Sequence, residues 1–231
     1  MERPTLAEAV AAWTAEYGGL TQDEIDRRVW LQTKVIQALS EGCPLSAEKF
    51  ATTTDLPLEQ VPDIFKRLEA NGMEFDANGN LIGAALTLST TPHRFSVRGR
   101  DLYAWCSLDT LFLPALLGET AEVESACPVS GEKIRLTVTP GDVQSYSPSS
   151  TVLSIVLPGL SCTSDRTGPQ SSMCSQMYFF ESRNAAETWL KDRPGIAILT
   201  VEEAYQLARV HWGDRKERAF RGDARAGRRT G

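Results

Sequence analysis

Cys106 and Asp109 lie three residues apart in "LYAWCSLDTLFLPALL", residues 102–117, an apolar and aromatic segment with no cation to neutralise the acid. Burying a lone carboxylate is costly, and the usual escapes are a raised pKa or a dedicated partner. A thiol alongside supplies a partner. It can pass its proton to the carboxyl, leaving a thiolate and a neutral acid, two complementary reagents. A second thiol, Cys174, stands in "GPQSSMCSQMYFF", where a polar loop turns into an apolar strand and side chains can face a cleft. A buried cysteine is also an ordinary packing residue, and the sequence leaves open whether the two thiols meet.

Other chemistries lack their residues. Zinc sites need Cys and His in close pairs, whereas the chain has two histidines, His93 and His211, and no such pair. "CPVSG" at Cys127 resembles half a zinc knuckle without its other half and reads as a turn with a small buried hydrophobe. There is no G-x-S-x-G elbow, phosphate loop or dinucleotide fingerprint. "DANGNL" begins like a calcium loop but has Leu81 where glycine is required and Thr87 where glutamate is required.

The elements that must position these residues change character along the chain. The first eighty residues read as helices. "TQDEIDRRVWLQTKVIQALSEG" opens on a Thr21/Glu24 capping box, and "SAEKFATTT" and "PLEQVPDIFKRLEANG" follow. "MEFDANGNLIG" is a hairpin around Asn78-Gly79. Three helices and a hairpin are the order of a winged helix. The would-be reading helix, however, sets Glu59, Asp63 and Glu69 against Lys66 and Arg67, a face that repels phosphate.

From about residue 81 the runs "ALTLS", "HRFSV", "TAEVES", "KIRLTVT", "TVLSIVLP" and "QMYFFES" read as strands. Gly99 ends the second of them, and a helix is expected from near Asp101 to near Gly118, which puts Cys106 and Asp109 on one face. Two closing helices are expected, capped at Asn184 with Glu187 and at Thr200 with Glu203. The class is α+β: residues 1–80 a helical, winged-helix-like domain, residues 81–212 a core of antiparallel sheets flanked by helices. Residues 213–231, rich in arginine and poor in apolar side chains, read as a solvated, disordered basic tail.

The 231 residues are 42% hydrophobic with a net charge of −6, which suits a folded protein that is not a general nucleic-acid binder. No run of apolar residues is long enough for a membrane span, the acid-bearing N-terminus does not look like a signal peptide, and five scattered cysteines are not a disulfide framework. A cytoplasmic protein is expected.

"LYAWCSLDTLFLPALLG", "CPVSG", and "MCSQMYFF" followed by "AAETWL" resemble the bacterial organomercurial lyase (alkylmercury lyase) family, from about residue 22 to about 212. The resemblance implies a winged-helix-like N-terminal domain on an α+β core, with catalytic residues Cys106, Asp109 and Cys174 and a structural cysteine at Cys127. Some relatives carry a further cysteine where this chain has Ser175; Cys43 and Cys162 have no placed counterpart. It also implies cleavage of alkyl- and arylmercury compounds by protonolysis, the Hg(II) product staying on Cys106 and Cys174 beside Asp109. No cofactor is implied. Cellular thiols and, transiently, mercuric reductase take the mercury from a monomeric enzyme without nucleic-acid or membrane partners. Which cysteine attacks first is left open. Trp105, Leu108, Leu111 and Phe112 would favour apolar organic groups and keep water out. The rival is a non-catalytic mercury- or thiol-responsive regulator whose winged-helix unit reads DNA.

Overall fold

Thr21 and Glu24 cap each other at the head of a long helix: the Glu24 carboxylate accepts the Thr21 N–H at 2.8 Å, and the Thr21 hydroxyl accepts the Glu24 N–H at 3.3 Å. The computed structural model describes residues 3–15, 18–158 and 173–213. Within them α1 is Leu6–Ala15, α2 Gln22–Leu39, α3 Ala47–Thr54 and α4 Val61–Ala70. Helix α2 buries Val29, Val35, Ile36 and Leu39 along one side, as the spacing requires. Ser46 caps α3, and α4 ends at Asn71 before Gly72, whose φ of 86° only glycine adopts freely.

The hairpin forms where expected. Asp76 accepts the N–H groups of Asn78 and Asn80, and Gly79 supplies the positive φ, so β1 (Glu74–Phe75) folds back on β2 (Leu81–Ala84). It joins a larger antiparallel sheet containing β3 (Leu86–Thr87), β4 (His93–Val97), β5 (Arg100–Ala104), β6 (Ala121–Ala126), β7 (Lys133–Val138) and β8 (Val143–Ser147). The strand order is β1-β2-β3-β5-β4-β6-β7-β8. A second antiparallel sheet sets β9 (Val152–Val156) between β10 (Phe179–Phe180) and β11 (Ile196–Thr200). Antiparallel sheets with helices segregated from them make the class α+β.

Two expectations are corrected. The helix expected from Asp101 begins at Ser107, because residues 100–104 are strand β5. Arg98 and Gly99 both take positive φ, 52° and 72°, which closes a two-residue hairpin between β4 and β5 and forces the chain to continue extended. Along β5, Leu102 and Ala104 turn inward while Asp101 binds Arg94 across the ladder at 2.8 Å. The second correction is at α6 (Arg183–Trp189), capped by Ser182, whose hydroxyl accepts the Ala185 N–H at 3.2 Å, and not by Asn184. The Thr200/Glu203 box does open α7 (Val201–Ala208).

Helix α5, Ser107–Leu117, is the structural centre: every residue but Ala115 is buried, and it packs against α2, α7 and strands of both sheets. A helix apolar all round has no other place to go. Gly118, φ 74°, ends it by donating to the Pro114 carbonyl at 2.9 Å. The expected tail, residues 213–231, lies outside the described residues except for Gly213, and Cys162 also lies outside them. Among the described residues, no helix is long and apolar enough to cross a membrane.

Candidate active site

Cys106 is the N-cap of α5, in extended conformation, and Asp109 is the third residue of the helix. The two form a capping box in which a thiol takes the usual place of serine: the Asp109 carboxylate accepts the Cys106 N–H at 3.1 Å, and the Asp109 N–H faces the Cys106 sulfur. The N-cap and third positions are side by side, so the carboxyl is held against the thiol by the start of the helix itself. The flanking backbone is pinned as well: Trp105 donates to the Ala85 carbonyl at 2.8 Å and Ser107 to the Met177 carbonyl at 3.2 Å.

Cys174 arrives from the other sheet. It opens a 3₁₀ turn, Cys174–Gln176, closed by the Met177 N–H on the Cys174 carbonyl at 3.2 Å. Ser154 of β9 grips the far side of this turn, its hydroxyl donating to the Gln176 carbonyl at 2.8 Å and accepting the Tyr178 N–H at 3.0 Å. The result is a compact trio. The sulfurs of Cys106 and Cys174 and a carboxylate oxygen of Asp109 all lie within 4.8 Å of one another, Cys106 fully buried, Asp109 8% exposed and Cys174 half-buried.

Electrostatics set the resting protonation. Burial pushes the Asp109 carboxyl up to about 7, against hydrogen bonds from Cys106 that pull it down. Burial also pushes the Cys106 thiol well up, helped by the hydrogen bond with Cys174 and the nearby charges of Asp109 and Cys174; the Asp109 N–H opposes this. Near neutrality Cys106 is therefore a thiol beside an acid balanced between its two forms. A bound soft metal changes the order, because coordination displaces the thiol proton and Asp109 is the base in reach.

The other singled-out residues separate. Leu108, Leu111 and Phe112 are core side chains, and Phe112 stacks on Trp212 with ring centroids 4.8 Å apart. Trp105 is half-buried, its indole N–H directed to Glu74 Oε2 at 3.3 Å. Ser175 and Cys43 are exposed. Cys127 lies in the turn between β6 and β7, where burial pushes its thiol up but hydrogen bonds from the Ser130 hydroxyl and the N–H groups of Glu181, Ser130 and Val129 hold it below its usual value. Cys127→Ala leaves those backbone donors without the sulfur. The expected loss is about 1–3 kcal/mol in a denaturant titration, with turnover per folded molecule unchanged. A folded variant with lost turnover would overturn this purely structural assignment.

Sequence reasoning missed Ser154 and Met177, whose hydrogen bonds hold the Cys174 turn, and the buried His93, whose ring packs on Tyr178 and Phe179 just beyond it. Alternation in "HRFSV" does carry a signal, since it puts His93 on the same inward face as Phe95 and Val97.

Two converging thiols, one buried and one half-buried, with a buried carboxyl at their side on an α+β scaffold, are the equipment of a thiol-based protein for soft, thiophilic metals. Comparison with known proteins narrows the class. The MerB family profile, alkylmercury lyase, matches residues 86–213. An alkylmercury lyase of Bacillus cereus is 42% identical over 181 residues, 78% of this chain and 80% of the relative. One from Staphylococcus epidermidis is 41% identical over 196 residues, 85% and 87% of the two chains. One from Streptomyces lividans is 40% identical over 183 residues, 79% and 81%. The chain belongs to the alkylmercury lyase family. In fold it is similar to the mercury-bound form of MerB2, a crystal structure matched with a TM-score of 0.68 over 88% of this chain and 97% of that one, at 23% identity.

Proposed function

We propose that this chain cleaves the carbon–mercury bond of alkyl- and arylmercury compounds, giving a hydrocarbon and Hg(II), with Cys106, Cys174 and Asp109 as its catalytic residues. The observation that supports this most directly is the convergence of two sulfurs and one acid within 4.8 Å of one another.

The steps balance. One cysteine thiol displaces a thiol carrier from R–Hg–SR′: a new sulfur–mercury bond forms, the carrier's bond breaks, and R′SH leaves with the cysteine proton. The second cysteine then adds to the same mercury, and its proton passes to the Asp109 carboxylate. Two thiolates push electron density onto mercury and make the bound carbon more basic. Asp109 returns its proton to that carbon as the carbon–mercury bond breaks, RH departs, and Hg(II) remains between the sulfurs. Asp109 near 7 is matched to this relay, able to take a proton and to give it up. Holding three groups around one atom supplies much of the acceleration.

The mercury then passes to cellular thiols or transiently to mercuric reductase. The reading includes a monomer in the cytoplasm that needs no resident cofactor and binds neither membrane nor nucleic acid. Residues 1–80 form a winged-helix-like unit and residues 81–212 the catalytic unit. The helical unit serves packing, not DNA reading: Glu59, Asp63, Lys66, Arg67 and Glu69 are exposed together, and Lys66 is spent on Asp63 at 3.8 Å. The test is benzene release from phenylmercury with excess thiol, followed by gas chromatography. Stoichiometric mercury uptake with no benzene would sink the enzymatic reading.

A further inference from the structure

His93 is the first residue of β4, 1% exposed, and no step above uses it. Its backbone is fixed on both sides, paired with Ala104 of β5 and Ser125 of β6. Thr91 adds a brace, accepting the His93 N–H at 3.1 Å while donating to the Ala104 carbonyl at 2.6 Å, two residues before Cys106. One ring nitrogen, Nδ1, lies 2.8 Å from the Ser125 hydroxyl, and the ring also bonds the Met177 carbonyl. Burial keeps the imidazole neutral by pushing its pKa down to about 4. A neutral ring has one acceptor and one donor, so the Ser125 hydroxyl donates to Nδ1 and the ring N–H serves Met177.

That carbonyl is where the two halves of the site meet. It receives the Ser107 N–H, next to Cys106, and the His93 ring, while the Met177 N–H closes the turn that begins at Cys174. The side chains of Tyr178 and Phe179 flank the ring, centroids 5.7 and 6.1 Å away, so it has little freedom to swing. We infer that His93 is a positioning residue of the catalytic centre: bonded to the Met177 carbonyl from a fixed place in the large sheet, it holds the Cys174 turn where one mercury atom meets both sulfurs. Cys174 lies in the turn that leads into β10 of the smaller sheet, and this tie acts on the same carbonyl that the Ser107 N–H reaches from α5. This inference rests on the proposed function for its kinetic readout and not for its structural one.

The test compares His93→Phe, which fills the space without polar atoms, with His93→Gln, whose amide again offers one acceptor and one donor. In His93→Phe, kcat for phenylmercury falls on the order of 10²-fold with KM changed little, because capture needs one sulfur and protonolysis needs both. X-ray absorption of the mercury-loaded protein counts one site sulfur on mercury in place of two, and His93→Gln recovers at least about tenfold of the lost kcat. A folded His93→Phe protein with parental kcat and two sulfurs on mercury overturns the inference, as does a His93→Gln protein as slow as His93→Phe. Should His93→Phe not fold, Ser125→Ala decides: loss of the hydroxyl that fixes the ring lowers kcat about tenfold, and parental kcat refutes the assignment. If the parent itself holds mercury with two sulfurs but releases no benzene, the lyase reading fails, and the sulfur count still tests His93.

Discussion

Asp109→Asn yields a protein that takes up phenylmercury through its thiols and releases benzene on the order of 10²–10⁴-fold more slowly than the parent, the range a positioned general acid commands. Asparagine keeps the oxygen that accepts the Cys106 N–H, so the helix cap and the thiol geometry survive. What disappears is the group that, in the proposed relay, receives the second cysteine's proton and hands it to carbon. Capture alone exchanges one sulfur for another and needs no such group, which is why binding and release part company in this variant. Stability against pH supplies an independent check that Asp109 is the group shifted by burial. Its folded pKa of about 7 stands above the ordinary 3.8, so both folded and unfolded chains hold the proton below about pH 4. Between there and about pH 7 the unfolded chain gives its proton up while the folded chain keeps it, and stability is lost as pH rises. Asparagine has no proton to lose, so the variant gains on the parent from pH 4 to pH 7, by about 4 kcal/mol at most, in urea melts at successive pH values. Undiminished benzene release from Asp109→Asn would place the proton donor elsewhere.

The cysteine–acid pair was legible because its spacing tolerates an error in the element that carries it. Read as mid-helix residues on a helix from Asp101, Cys106 and Asp109 share a face; found as N-cap and third residue of a helix from Ser107, they still touch, since both geometries bring residues three apart together. The misplaced boundary came from "DLYA", four residues that suit a helix as well as a strand; the positive-φ turn at Arg98-Gly99 and the Arg94–Asp101 pair decide for the strand. Capping signals at Thr21 and Thr200 could be read because they are local. The partnership with Cys174 could not, since it depends on Ser154 of β9 holding the 3₁₀ turn and on Met177 reaching α5, contacts between segments far apart in sequence. The loop-to-strand position of Cys174 marked it as a second thiol, and family resemblance supplied its pairing with Cys106, where periodicity had nothing to say. It gave no hint of His93, an inward residue of a strand whose importance comes from what folds over it.

Replacing either cysteine by serine ends turnover, and the two replacements fail for the same reason despite their different surroundings. Mercury is soft and a hydroxyl oxygen is a hard, neutral ligand, so serine does not stand in for the second thiolate. With one sulfur left, mercury is captured and held as R–Hg–S, the carbon gains no further electron density, and protonation stalls. External thiol cannot make good the loss, because an oriented intramolecular ligand acts at an effective concentration far above any millimolar additive; a fall of at least about 10³-fold in kcat/KM is expected for each variant. Misfolding is an unconvincing excuse for either outcome. Serine is a better N-cap than cysteine, so Cys106→Ser retains the start of α5 or strengthens it, and Cys174 is half-buried in a turn held by Ser154 and Met177. Both variants should melt within about 0.5–1 kcal/mol of the parent. The decisive measurement pairs benzene release with thiol titration after loading: each variant holds one organomercurial on its remaining site thiol, in addition to what the exposed Cys43 takes up, and keeps the carbon–mercury bond intact. A Cys174→Ser protein that still turned over at the parental rate would mean that mercury never needs the second sheet, and the argument for a two-sulfur centre would fall with it.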